Sequence, residues 1–101
     1  MELIGRWALE IHTPIGIQQV ELDVRTGEDG QLQGTATRGQ EILVLEQIEV
    51  GEEGMVSWVQ HVRRPLRLTL RFEVELLEST MSGIARAGVF PASRVEGRRI
   101  S

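Results

Sequence analysis

The chain has 101 residues, of which 41% are hydrophobic and 26% are charged, and it carries a formal net charge of −4. This length fits one domain, predicted over residues 1–101. The acidic balance argues against a nucleic-acid partner, and the absence of cysteine excludes disulfides and thiolate metal sites.

Alternation of apolar and polar residues with a period of two dominates the chain and predicts β-strands. In the first run Trp7, Leu9 and Ile11 share one face, and the run 66–76 alternates without a break. Turn residues such as Gly, Pro and Asp separate the runs at regular intervals. The predicted strands are 3–12, 16–25, 31–37, 41–50, 55–62, 66–76, 81–87 and 92–100.

The short connections between these runs make sequential strands antiparallel neighbours. A sheet of this size with one apolar face is stabilised when it closes into a barrel, because closure removes the unpaired strand edges. The sequence therefore predicts an all-β fold, a single eight-stranded antiparallel up-and-down β-barrel.

The run 41–50 is the irregular one, since four consecutive apolar residues, Ile42, Leu43, Val44 and Leu45, interrupt its alternation. Such a run indicates either a β-bulge or a strand covered on both faces, as in a subunit interface. An unbroken register would turn Glu46 into the apolar interior, which is costly for an unpaired carboxylate. A homodimer contact through these four residues, with outward-facing Val59 and Ile84, is therefore one hypothesis.

Several short motifs occur in a fixed order along the chain: Gly5-Arg6-Trp7, Thr13-Pro14-Ile15-Gly16, Gly34-Thr35, the segment 51–58, and Gly97-Arg98-Arg99. This set resembles the calycin superfamily of lipocalins and avidin-like proteins. It is more closely similar to uncharacterised bacterial streptavidin-like domains.

The resemblance implies that Gly5 and Trp7 plug one end of a barrel and that an Arg of the last strand, Arg99 or Arg98, packs on the Trp7 indole. It does not extend to biotin, because the biotin-binding residues of avidin are not reproduced and the chain has no Tyr. The resemblance therefore implies the barrel architecture alone.

An eight-stranded barrel is either filled by its own side chains or holds one small ligand. Trp58 and Phe72 are predicted to face inward with two polar residues, Gln18 and Gln60. Small residues at Gly34, Ala36, Gly83, Ala85 and Ala87 leave room, unless facing side chains fill it or the backbone bends tightly there. A few polar groups in an apolar cavity are typical of a small-molecule site, although the two Gln amides would equally well bond to each other or to a buried water.

The two ends of the predicted barrel differ in charge. The end opposite the plug carries His12, His61 and three arginines, Arg38, Arg63 and Arg64. The predicted ligand-binding residues are therefore Trp58, Gln60, Gln18, Phe72, Arg38, Arg63 and Arg64, and the expected ligand is apolar or amphipathic, with an anionic group suited to this end.

Three functions remain open at this point. The first is small-molecule binding, the second is a barrel-type cyclase or isomerase that shapes an apolar substrate, and the third is a filled barrel that dimerises. Catalytic residues are not identified, and with two His and no Cys we predict no metal site and no cofactor.

Neither a signal peptide nor an apolar run of the ~20 residues that a membrane helix needs is visible in the sequence. We therefore expect a cytoplasmic protein with no membrane partner.

Overall fold

Antiparallel β-strands form one continuous sheet in the computed structural model, which describes residues 2–63 and 66–101. The strands are β1 (Gly5–Thr13), β2 (Gly16–Thr26), β3 (Leu32–Arg38), β4 (Glu41–Val44), β5 (Glu46–Val50), β6 (Met55–Val62), β7 (Leu68–Leu77), β8 (Thr80–Arg86) and β9 (Ser93–Arg99). A short 3-10 turn, Glu52–Gly54, connects β5 to β6. Among the described residues no helix is long and apolar enough to span a membrane.

The strand order in the sheet is β4-β3-β2-β1-β9-β8-β7-β6-β5. Strands that follow each other in sequence pair with each other, apart from β4 and β5, which lie at opposite edges of the sheet. The first strand, β1, also pairs with the last, β9. The outermost strands, β4 and β5, are consecutive in sequence, and β4 also approaches β6. The sheet is therefore a nearly closed barrel, which confirms the predicted all-β, up-and-down architecture.

The predicted number of eight strands is wrong, because the run 41–50 divides at Leu45 into β4 and β5. The Leu45 side chain is buried, and its backbone N–H donates to the carbonyl of Gly34 at 2.9 Å. Just beyond, Gln47 has a φ of 52°, and the register of β5 against β6 shifts between Glu46 and Glu49. The structure thus shows a bulge-like register shift just after the apolar run, while Ile42 and Val44 are exposed on β4.

The core consists of the alternate side chains that the strands direct inward, as the period-two pattern predicts. Its largest fully buried members include Trp7, Trp58, Phe72, Leu9 and Leu22. The burial is uneven along β7, where Phe72, Val74 and Leu76 are buried but Leu68 and Leu70 are only half-buried. The interior is thus less covered at the end where β7 begins.

In an up-and-down sheet the connections alternate between the two ends of the barrel. The connections that follow β2, β5 and β7 form an acidic end with Glu28, Asp29, Glu52, Glu53 and Glu78. The connections that follow β1, β3, β6 and β8 form the opposite end, called the basic end here, where Arg38, Arg63 and Arg67 lie.

Candidate functional site

Among the described residues, Gln60 is a polar side chain buried in the barrel, only 4% exposed. Its Oε1 accepts a hydrogen bond of 2.9 Å from Nε1 of Trp58, two residues earlier on the same face of β6. The Trp58 ring stacks on Phe72, its cross-strand partner, with centroids 4.9 Å apart and planes 8° from parallel. Three of the predicted site residues therefore form one packed unit in the interior.

A second polar group lies nearer the basic end, where Arg38 closes β3. Its Nη1 donates to Oε1 of Gln18 at 3.3 Å, and its Nη2 lies 3.5 Å from Oε1 of Glu41. All three side chains are partly buried. The structure thus brings Gln18 and Arg38 together. The described hydrogen bonds join Gln18 to Arg38 and Gln60 to Trp58, and they include none between the two glutamines.

The remaining two predicted residues belong to the connection between β6 and β7. Arg63 is exposed at the basic end. Arg64 lies outside the described residues.

The small residues on β3 and β8 do not leave the expected room. A Cβ placed on Gly34 would contact the Leu45 side chain, and one placed on Gly83 would collide with the backbone of β7 at Glu73 and Val74. Ala36, Ala85 and Ala87 are buried. Of the two alternatives, the structure shows close approach of neighbouring chain segments at both glycines.

The acidic end is closed by Trp7, whose Nε1 donates to the carbonyl of Leu3 at 2.9 Å. The guanidinium of Arg99, and not that of Arg98, lies over the Trp7 ring, 4.4 Å from its centroid. Arg99 also donates to the carbonyl of Ile4 at 2.7 Å and to that of Glu2. Gly5 is required here, because its φ is +134° and a side chain would collide with Arg99.

Two cavities lie away from the Trp58 unit. One of about 260 Å³ sits beside the plug among Leu3, Leu32, Val50, Val56 and Leu76. The other, of about 610 Å³, is a groove on the outer face of β1, β2 and β9, lined by Ala8, Glu10, Glu21, Glu96, Gly97 and Arg98 among others. We call the second cavity the outer groove.

Sequence reasoning missed a cluster of Glu10, His12 and Glu96 at the outer groove. The shared face of Glu10 and His12 is visible from their spacing, but Glu96 joins them only through the pairing of β1 with β9. No local pattern links residues so far apart in sequence.

Glu46 points outward, with its Oε2 3.5 Å from Nε2 of His61 and about half of its side chain exposed. The bulge that follows Leu45 therefore keeps this carboxylate out of the core.

The residues predicted for a dimer contact are divided between surface and interior. Ile42 and Val44 are 66% and 63% exposed on β4, and Ile84 is half-buried. Leu45 and Val59 are buried within the chain.

No known protein family, no curated protein and no solved structure matches this chain. Its class is therefore defined by its own architecture, a small all-β, nearly closed antiparallel barrel that is consistent with the calycin fold.

Proposed function

We propose that the protein is a streptavidin-like member of the calycins that binds an apolar or amphipathic, anionic small molecule in its interior, through the basic end. The observation that carries this proposal is Arg38, a partly buried arginine on the inward face of β3. A carboxylate is the natural partner of a guanidinium in such a setting.

The contacts of Arg38 leave its guanidinium open to a ligand. Its distances of 3.3 Å to Gln18 and 3.5 Å to Glu41 exceed the roughly 2.7–2.9 Å of a strong charge-assisted hydrogen bond. A ligand carboxylate that binds both nitrogens would therefore replace two long contacts with two short ones.

The surroundings of Arg38 suit an apolar tail. The register of the strands turns Leu43, Val62, Leu68 and Leu70 to the same interior, and all four are only half-buried. Below them lie Gln60 and the stacked rings of Trp58 and Phe72, which we propose as the floor of the site. Arg63, which is exposed at this end, adds positive charge to the rim.

The test compares dodecanoate with dodecan-1-ol, two probes with the same tail and different charge, by calorimetric titration. We expect dodecanoate to bind more tightly than dodecan-1-ol. Arg38→Gln should weaken the affinity for dodecanoate by about tenfold, since one charge-assisted contact is worth about 1.5 kcal/mol or more. The affinity for dodecan-1-ol should not change. Arg25→Gln is the matched control, because Arg25 is exposed at the other end of the barrel. The proposal is contradicted if neither probe binds, or if Arg38→Gln weakens the binding of both probes equally.

A second candidate function is self-association as a structural module. The observation that favours it is the exposure of Ile42 and Val44 on β4, an outermost strand of the sheet. An edge strand with exposed apolar side chains tends to pair with a strand of another molecule. Sedimentation velocity should then show a dimer that Ile42→Ser with Val44→Ser converts to monomer, while Leu77→Ser, at an equally exposed position, does not. A wild-type monomer at all concentrations contradicts it.

No observation favours the cyclase or isomerase. A Glu46 carboxylate in the interior would favour that hypothesis, but Glu46 points outward, near His61.

A further inference from the structure

The outer face of the barrel brings three metal-ligating side chains together. Glu10 and Glu96 are direct cross-strand partners in the β1–β9 pair, and His12 is the next outward residue on β1. One ligand atom from each side chain lies within 4.8 Å of the others. A bound zinc ion has nitrogen and oxygen ligand atoms at about 2.0–2.2 Å. The three ligand atoms need to move only slightly closer together to reach one shared ion.

The His12 imidazole has a nitrogen that its protein neighbours leave unsatisfied. Nε2 is buried and has no hydrogen-bond partner among the described residues. It lies 3.9 Å from Oε1 of Glu10, which is too long for a hydrogen bond, although only a quarter of the side chain is exposed. A buried polar atom without a partner is costly, so this nitrogen points to a ligand independently of the two carboxylates.

The two carboxylates also carry an unbalanced charge. Like charges directly opposite each other on paired strands destabilise a sheet. Arg94 offsets one of them, because its Nε lies 3.0 Å from Oε1 of Glu96. Among the ion pairs of the described residues, Glu10 has only the His12 imidazole, at 3.9 Å. A cation between the two carboxylates would remove the repulsion.

We propose that Glu10, His12 and Glu96 bind a divalent transition-metal ion such as Zn²⁺ at the margin of the outer groove. One imidazole nitrogen and two carboxylate oxygens are a ligand set for such ions, and three protein ligands leave positions open. Glu10 and Glu96 also line the outer groove, so those positions are accessible to water or to an oxygen-donor ligand held there. Arg98, on the same groove, supplies a positive charge for an anionic ligand.

The contact between Arg94 and His12 opposes metal binding at this site. Its Nη2 lies 3.4 Å from Nδ1 of His12, and a guanidinium only donates hydrogen bonds. Coordination through Nε2 leaves the proton of a neutral imidazole on Nδ1, which then needs an acceptor. Metal binding and the Arg94–His12 contact therefore exclude each other, and Arg94→Gln, which offers an amide oxygen and removes a positive charge, should tighten binding.

The experiment uses the fact that the chain has two histidines. His61 is an internal control, because it also lies close to a carboxylate, Glu46, but belongs to no such three-residue cluster among the described residues. Titration of the protein with zinc sulfate, followed by the imidazole ¹⁵N resonances, should shift the His12 Nε2 signal at zinc concentrations that leave His61 unmoved.

The variants test the ligand set. His12→Gln, Glu10→Gln and Glu96→Gln should each weaken zinc binding by about tenfold or more, His61→Gln should leave it unchanged, and Arg94→Gln should strengthen it several-fold. At one fixed zinc concentration, zinc should also raise the melting temperature of the wild type and of His61→Gln by more than that of Glu10→Gln, which tests the site in a protein shown to be folded.

Three results would overturn the proposal: equal response of the two histidines to zinc, no response of either at millimolar zinc, or zinc affinity that survives both glutamate substitutions.

Discussion

At the scale of single residues, the pairing of Trp58 with Gln60 explains how a polar side chain is tolerated deep in an apolar barrel. The indole N–H needs an acceptor when buried, and the amide oxygen two residues along the same face supplies it at 2.9 Å. The stack on Phe72 then holds the ring in place. The pair is therefore a structural unit of the core.

The substitution Gln60→Leu should lower the free energy of unfolding by about 1–3 kcal/mol, because it leaves the buried Trp58 N–H without an acceptor. The double variant Trp58→Phe with Gln60→Leu should lose less than the sum of the two single variants, since neither polar group then remains. Urea unfolding monitored by circular dichroism measures all four species. Strict additivity would mean that the hydrogen bond contributes nothing.

At the scale of elements, the division of the run 41–50 into β4 and β5 determines how the barrel closes. β4 pairs with β3, and β5 pairs with β6, so a single stretch of chain moves from one side of the seam to the other at Leu45. The change of partner requires an irregular backbone, which is provided by the left-handed conformation of Gln47. The same irregularity places Leu45 inside and Glu46 outside.

Substitutions at Gln47 should therefore follow the preferences of a left-handed residue and not those of a strand. Gln47→Gly should keep or raise the free energy of unfolding, whereas Gln47→Val should lower it by about 1–2 kcal/mol, because a β-branched residue is strained at positive φ.

The control for this prediction is Glu49, two residues further along β5 and paired with Ser57. There the order should reverse, with Val favoured over Gly, as in an ordinary strand. Chemical denaturation of the four variants gives the comparison. The same order at both positions would contradict a local role for the Gln47 conformation.

At the scale of the whole molecule, the two ends of the chain meet and close the acidic end. β9 completes the barrel beside β1, and Arg99 reaches from it to the carbonyls of Glu2 and Ile4 while covering the Trp7 ring. One side chain thus joins the last strand, the first strand and the segment that precedes it. The opposite end keeps its half-buried apolar residues and Arg38, so the two ends of the barrel are built differently.

Arg99→Lys should lower the free energy of unfolding by about 1–2 kcal/mol, because an ammonium group does not reproduce the planar fork that bonds two carbonyls and stacks on an indole. It should also accelerate amide hydrogen exchange in residues 2–7. Arg98→Lys, the exposed neighbour on the same strand, should change stability by less than about 0.5 kcal/mol. Equal effects of the two substitutions would show that Arg99 does not hold the chain ends together.

Much of the fold follows from short-range pattern. Period-two alternation places Trp7, Trp58 and Phe72 inside, and turn residues give strand ranges close to those observed for β1, β2, β6 and β8. The four consecutive apolar residues at 42–45 also indicate an irregularity, which the structure places just after them, at Gln47. The strand count was wrong because the pattern indicates an irregularity without telling whether the strand bends or changes its partner.

The sequence by itself determined the fold class, the inward face of each regular strand and the contrast in charge between the two ends, because each depends on residues that are close together in the chain. Only the tertiary structure decided which arginine covers Trp7, that Arg38 meets Gln18, that Leu45 fills the space above Gly34, and that Glu96 joins Glu10 and His12. Each of these depends on the register between strands that are distant in sequence. Register is the outcome of packing summed over the whole barrel, so no single stretch of the sequence contains it.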